Sequence, residues 1–327
     1  MAPLWREANS TIFGPTIAAA ADQLGILELA VEKDYWVCQT LCAIEKHTPG
    51  ATIFKGGTSL QKMNLINRFS EDLDLLVPGN HGGAGPTKRV LRDICAVAAS
   101  ALPGCEPEPL HSGGNPGSMH RAVYLTAPLA ASGPTSGVAD PSRILLELGQ
   151  SGGEHPSARR PVVSLLAQAL DDAGVTIADY PDLAPFDVRM LHPGRTLIEK
   201  LLRVNNFATD EGRRSQGWSR IGRQFYDIWA LLGDHEVLAL LAERNRTVEI
   251  VADCTRISES FAPDLPVPTG GFAACPAFDL NWPGSPRLRD EHETTIRELY
   301  YGRTPGPTFT DVLDRIREHR ELLDFTW

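Results

Sequence analysis

The chain is predicted to be an α+β protein, with a mixed α/β region to about residue 191 and a mainly helical region from 192 to 327. Three observations carry this prediction. A strand–glycine–helix–strand run lies within 51–77, and two more strand-like stretches follow at 121–126 and 143–148. From Pro193 onward the apolar residues recur at helical spacing. No internal repeat and no low-complexity tract interrupts this plan.

In order along the chain, residues 8–24 read as largely helical, with Gly14-Pro15 expected to break or kink the run. A helix over 31–44 sets Tyr35, Cys38, Leu41 and Cys42 at three-to-four spacing, and Pro49-Gly50 ends it. An apolar strand over 51–55 meets Gly56-Gly57, after which Thr58-Ser59 are expected to cap a helix to about residue 66. Residues 72–77 form the next strand, stopped by Pro78-Gly79. A glycine-rich loop over 79–86 leads into a helix over 87–101, and a Pro- and Gly-rich loop occupies 103–118. A turn-rich connection over 127–141 joins the two following strands. An irregular stretch then leads to a strand at 187–191. Helices are expected over 196–205, 218–232, 237–252, 287–301 and 309–323.

The 327 residues suffice for one large domain or two ordinary ones, and 42% apolar with 22% charged content is ordinary for a globular protein. No apolar run approaches the roughly 18 residues of a membrane span, and the N-terminus lacks the basic-then-apolar layout of a secretory signal. A cytoplasmic protein with no membrane partner is expected. The six cysteines include no Cys-x-x-Cys pair and so carry no zinc or redox signature. Cys38 and Cys42 share a helix face and are read as core. The histidines lack metal-ligand spacing. A net charge of −10 argues mildly against nonspecific nucleic-acid binding. Between residues 189 and 223, however, eight Lys or Arg stand against three acids. That segment is either a solvated charged face or a patch that meets phosphates.

The residues with chemical potential begin at Phe54-Lys55-Gly56-Gly57-Thr58-Ser59-Leu60. Glycines there let the backbone approach a ligand, and the following helix start offers free N–H groups to phosphate. Asp72-Leu73-Asp74 comes next. Residues two apart on a strand share a face, so both carboxylates project together while Leu73, Leu75 and Val77 face the core. Paired carboxylates repel unless a cation neutralises them, and Mg²⁺ takes a few carboxylates together with substrate phosphates. Asp-x-Asp alone is equally what exposed surface charge looks like. Glu147 interrupts the apolar strand Ile144-Leu145-Leu146-Glu147-Leu148, either facing solvent at an edge or serving the metals or as a general base. In the helical half Lys200 sits between apolar positions, and Arg220, Arg223 and Asp227 share a helix face. By itself the Arg223–Asp227 spacing is also that of a surface salt bridge.

Taken together, these stretches resemble the AbiEii/AbiGii nucleotidyltransferase toxins, a family that includes the MenT toxins. Residues 54–60 with Arg68-Phe69-Ser70-Glu71-Asp72-Leu73-Asp74 are similar to its first motif. Glu32-Lys33-Asp34-Tyr35-Trp36, Glu199-Lys200-Leu201 and the segment from Arg223 to Asp227 resemble three others, in the same order. The last hundred residues carry no recognised motif and read as a variable extension. The loops 79–86 and 103–118 have no counterpart either.

The resemblance implies a DNA polymerase beta-like nucleotidyltransferase fold over 1–191, with N-terminal helices, and a helical C-terminal domain over 192–327 that completes the active site. It implies Asp72 and Asp74 as metal ligands and Lys200 and Asp227 as catalytic. It also implies a toxin with a cognate antitoxin, of a kind in which some members transfer nucleotides to the 3′ end of tRNA. The expected mechanism has two Mg²⁺ ions (Mn²⁺ as a substitute) about 4 Å apart on Asp72 and Asp74. Gly56, Gly57, Thr58 and Ser59 hold the NTP phosphates, Lys200 offsets the triphosphate charge with Arg220 or Arg223, Asp227 orients them, and Glu147 is the candidate base. Two alternatives use the same residues: kinase-like transfer of the γ-phosphate, and a non-catalytic NTP- or RNA-binding regulator.

Overall fold

The computed structural model describes residues 3–79, 81–110, 120–131, 135, 140–150, 153–258 and 264–325. It divides into two compact units: Met1–Met63 with Phe69–Met190, and Asn64–Arg68 with Leu191–Trp327.

The first unit holds α1 (Trp5–Ala8), α2 (Phe13–Leu24), α3 (Glu28–His47), β1 (Ile53–Lys55), α4 (Gly56–Lys62), β2 (Leu73–Leu76), α5 (Ala84–Ser100), β3 (Glu108–Pro109), β4 (His120–Thr126), β5 (Arg143–Gly149), β6 (Ser157–Val162), α6 (Leu165–Asp172) and β7 (Phe186–Leu191). The strands form one mixed seven-stranded sheet in the order β3-β4-β5-β2-β1-β7-β6. β2 runs antiparallel to β1 and parallel to β5, and β4 pairs antiparallel with β5. Leu73, Leu75 and Val77 are fully buried and join Tyr35, Trp36 and Leu41 of α3 and Ile94 and Ala98 of α5 in one core.

Several expected boundaries move, each for a local reason. The break expected at Gly14-Pro15 falls earlier, at residues 9–12. Pro15 instead sits in the first turn of α2, where its missing N–H is not needed. Thr58 and Ser59 do not cap α4. That helix already starts at Gly56, has no side-chain cap, and ends at Lys62 rather than near 66. The stretch read as irregular contains β6 and α6. β6 is polar and carries Pro161, which an edge strand tolerates, while Ser164 caps α6 by accepting from the Ala167 N–H. Residues 111–118 of the expected 103–118 loop lie outside the described residues.

Three consecutive charged residues of α3 are buried, and each has its own partner. Glu32 accepts from the Ala130 N–H (2.8 and 2.9 Å) and the Ala131 N–H (2.7 Å). Lys33 pairs with Glu71 and donates to the Asp140 carbonyl. Asp34 pairs with Lys62, the last residue of α4, and accepts from the Leu165 N–H (2.7 Å) at the start of α6. Successive helical residues point about 100° apart, so one turn of α3 fastens three separate segments. Tyr35 adds a fourth, donating to Asp182 (2.7 Å), which also accepts from the Trp5 N–H (2.8 Å).

The second unit consists of α7 (Pro193–Thr209), α8 (Glu211–Leu231), α9 (His235–Ala242), α10 (Arg244–Ser258), α11 (Ser285–Leu299) and α12 (Phe309–Glu318). The single helix expected over 237–252 is two, divided at Glu243. Phe225 packs against Phe278 and Phe309, each with ring centroids 5.5 Å apart. At Gly222 a Cβ would come within 2.2 Å of the Glu291 carbonyl oxygen, so glycine sets the close crossing of α8 and α11. The segment Asn64–Arg68 is held on this unit through its backbone groups. Asn67 N–H donates to the Tyr226 hydroxyl (2.9 Å), its carbonyl accepts from the Tyr301 N–H (2.9 Å), and Arg68 bridges Tyr300.

Lys33→Met should lower stability by about 3–5 kcal/mol, because it leaves the Glu71 carboxylate buried without its cation. Urea or thermal unfolding of the variant measures this directly.

Candidate nucleotidyltransfer site

The first unit assembles the carboxylates by register. Lys55, Asp74, Glu147 and Ala122 are successive partners across four neighbouring strands, so their side chains share one face of the sheet. Asp74 and Glu147 keep 34% and 37% of their side chains exposed among otherwise buried strand residues, which leaves both carboxylates open to a ligand. Asp72 lies just ahead of β2, two residues before Asp74 and half-buried. Its backbone is held by the Thr58 hydroxyl, which donates to the Asp72 carbonyl (2.6 Å) and lies 3.0 Å from the Ser70 hydroxyl. The Lys33 contact to Glu71 pins the preceding residue. Sequence reasoning offered Glu147 either to solvent at an edge or, from a neighbouring strand, to the metals or as a base; its register opposite Asp74 comes from the fold.

The Gly-Gly turn has a steric reason. Gly56 adopts φ +77°, and a Cβ there would come 3.3 Å from both the Cβ and Oδ2 of Asp74. The turn therefore runs against the carboxylate. The Thr58 and Ser59 hydroxyls, expected at the phosphates, bond to backbone carbonyls in this structure. Both are buried, and the Ser59 hydroxyl donates to the Gly56 carbonyl (2.9 Å), so these hydroxyls shape the turn.

Among the described residues, no group of three or more His, Cys, Asp or Glu side chains is arranged to hold a metal ion. The carboxylates nevertheless fit Mg²⁺, which takes one or two carboxylates and completes its shell with water and substrate phosphate. A cation already lies at this position: the Lys55 ammonium is 3.3 Å from Asp74 Oδ2. His120 Nε2 is 3.9 Å from Glu147.

The second unit holds a cluster around Asp227, which is fully buried on α8. Arg68 grips it with both prongs, Nε to Oδ1 at 2.6 Å and Nη2 to Oδ2 at 2.7 Å. Lys200 of α7 reaches the same carboxylate at 2.8 Å and donates to the Gln224 amide oxygen (3.1 Å). Despite burial, the two cations hold the Asp227 carboxyl below its ordinary pKa. Burial pushes the Lys200 ammonium below the ordinary lysine value; Asp227 opposes the shift and Arg68 adds to it. Arg223 is half-buried and Arg220 exposed on α8, and Arg203 is exposed on α7. Arg68 received no role from the sequence. Its separation from Asp227, 159 residues, left no periodic signal that could pair them.

The basic segment is less uniform than its composition. Arg189 belongs to the first unit and pairs with Glu154 (3.2 Å). Arg195 is buried between Glu199 and Asp253, and Arg213 pairs with Asp210. Arg214 donates to the Ala208 carbonyl and lies over the Trp282 ring. Much of the local charge excess is therefore consumed within the fold.

The class of protein, a nucleotidyltransferase, follows from the family to which the sequence belongs. A family model described as the nucleotidyl transferase AbiEii toxin of type IV toxin–antitoxin systems matches residues 41–315, and the chain belongs to that family. The match runs through α11 and most of α12, so this part is not the extension expected from its lack of motifs. No curated protein matches the sequence. A solved H. pylori structure, provisionally described as a nucleotidyltransferase, is similar over 87% of this chain and 95% of its own, at 15% identity and a TM-score of 0.35. Among the described residues no helix is long and apolar enough to cross a membrane.

Gly56→Ala should be destabilised by about 1–2 kcal/mol from its left-handed backbone alone. It should also press on Asp74. Thermal unfolding reads the first effect, and reduced nucleotidyl transfer beyond what the lost stability explains reads the second. Asp227→Ala should cost about 3–5 kcal/mol, since it leaves two buried cations without their carboxylate.

Proposed function

We propose that this protein is the toxin of a toxin–antitoxin pair and transfers NMP from an NTP to an RNA 3′-OH, with the acceptor end of tRNA as substrate and Mg²⁺ as cofactor. The observation that carries the reading is the row of Asp74 and Glu147 on adjacent strands beside the Gly56 turn. The metal would be held by Asp72 and Asp74, with Glu147 adjoining. When bound, it supplies Lewis-acid polarisation of the phosphoryl oxygens.

The chain's own residues do the rest. Backbone at Gly56 and Gly57 accommodates the phosphates, where a side chain at Gly56 would press on Asp74. Glu147, partly solvated, takes the proton from the attacking 3′-hydroxyl. The new bond forms between that oxygen and the α-phosphorus. The bond from the α-phosphorus to the bridging oxygen breaks, and pyrophosphate leaves. Lys200 offsets the charge that grows on the departing pyrophosphate, and Asp227 fixes the direction of its ammonium. Arg203, Arg220 and Arg223 supply positive charge on α7 and α8 toward an RNA backbone. A dedicated antitoxin is the partner implied by a type IV system.

Incubating the protein with total tRNA, Mg²⁺ and each α-labelled NTP in turn should label RNA with at least one nucleotide, and Asp72→Ala or Asp74→Asn should abolish the label while unfolding normally. Labelled RNA from the Asp72→Ala protein would overturn the assignment. γ-Labelled NTP should leave RNA unlabelled, which separates this reaction from kinase-like transfer. Because a lysine is charged only below its pKa and that of Lys200 is pushed down, NTP affinity should fade with rising pH at a midpoint below about 10.4. NTP titrations across pH, compared with Lys200→Ala, test this.

A further inference from the structure

We propose that Arg68 is a positioning residue of the nucleotide site: it takes up the Asp227 carboxylate and so leaves Lys200 with positive charge to offer a polyphosphate. This rests on the reading of Lys200 as the triphosphate's lysine and adds to it a residue with no assigned role.

The geometry distinguishes the two cations. Arg68 bonds both oxygens of Asp227 through its planar fork, an arrangement lysine cannot reproduce. Lys200 shares only Oδ2, and its other partner is the neutral Gln224 amide. Asp227 gives both its oxygens to Arg68 and shares one of them with Lys200, so Lys200 is incompletely compensated inside a buried cluster. Without Arg68, Asp227 and Lys200 would form a closed neutral pair. The ammonium would then have to give up its partner before it could bind an anion. With Arg68 in place, that exchange is already made. Arg203, three residues along α7, adds to the positive side of the balance. Arg68 does not depend on this contact to stay where it is, because the bonds of Asn67 to Tyr226 and Tyr301 hold its segment independently.

The test uses the full chain and inorganic tripolyphosphate, which lacks base and sugar, displacing a fluorescent NTP in the presence of Mg²⁺. Arg68→Gln keeps a donor toward Asp227 but removes the charge, whereas Arg68→Lys keeps the charge and loses the fork. Tripolyphosphate affinity should fall at least about tenfold in Arg68→Gln and remain within about threefold of wild type in Arg68→Lys. The double variant Arg68→Gln/Lys200→Met should bind no more than about threefold more weakly than Lys200→Met alone, because Arg68 acts through Lys200. Wild-type affinity in Arg68→Gln, equal losses in the Gln and Lys variants, or losses that add in the double variant would each overturn the proposal. If Lys200→Met itself binds tripolyphosphate normally, the reading of Lys200 fails and Arg68 fails with it. A weakened Lys200→Met beside an unchanged Arg68→Gln removes only the role of Arg68. Should Arg68→Gln not fold, Arg68→Met carries the same expectations.

Discussion

Burying three consecutive charges on α3 is the constraint around which the first unit is built. Each of Glu32, Lys33 and Asp34 would be costly in an apolar interior without a partner, so each dictates where another segment must lie. Glu32 fixes the loop at residues 130–131, Asp34 joins α4 to the start of α6, and Lys33 holds Glu71, next to Asp72. The Glu-Lys-Asp-aromatic stretch therefore acts on the site from a distance. All of its side chains are buried, yet it anchors both ends of the segment from α4 to β2.

Sheet pairing then converts that anchoring into chemistry. Once β2 is placed between β1 and β5, register aligns Lys55, Asp74 and Glu147 in a single row. The remaining β2 residues go to the core, so the carboxylates are the accessible groups on an otherwise apolar strand. Lys55 lies beside Asp74 and offsets its charge, and Gly56 shows how closely the turn follows the carboxylate. The second unit uses the same economy in reverse. There a single buried carboxylate, Asp227, organises two cations from separate parts of the chain.

Much of this was legible in the sequence, because it depends on short-range periodicity. Alternation along 72–77 placed Leu73, Leu75 and Val77 in the core and Asp74 on the other face, whereas Asp72 lies just ahead of β2. Three-to-four spacing identified the long helices, and the order of motifs pointed to the family. Errors came where local signals were weak or ambiguous. Thr58 and Ser59 looked like helix caps, but buried backbone carbonyls claimed their hydroxyls. β6 looked irregular because an edge strand can be polar and carry a proline. The basic run 189–223 looked like one surface, although Arg189 and Arg195 are spent on internal ion pairs.

The sequence by itself determined which faces of strands and helices carry charge, because side-chain direction repeats every two or 3.6 residues whatever the surroundings. Only the tertiary structure decided which of those charges meet. Strand register, which set Glu147 beside Asp74, depends on the packing of the whole sheet. The union of Arg68 with Asp227 depends on folding a five-residue segment onto helices that begin more than a hundred residues later in the chain. Burial raised the energetic stakes of the second, since a charge in the interior must find its partner there.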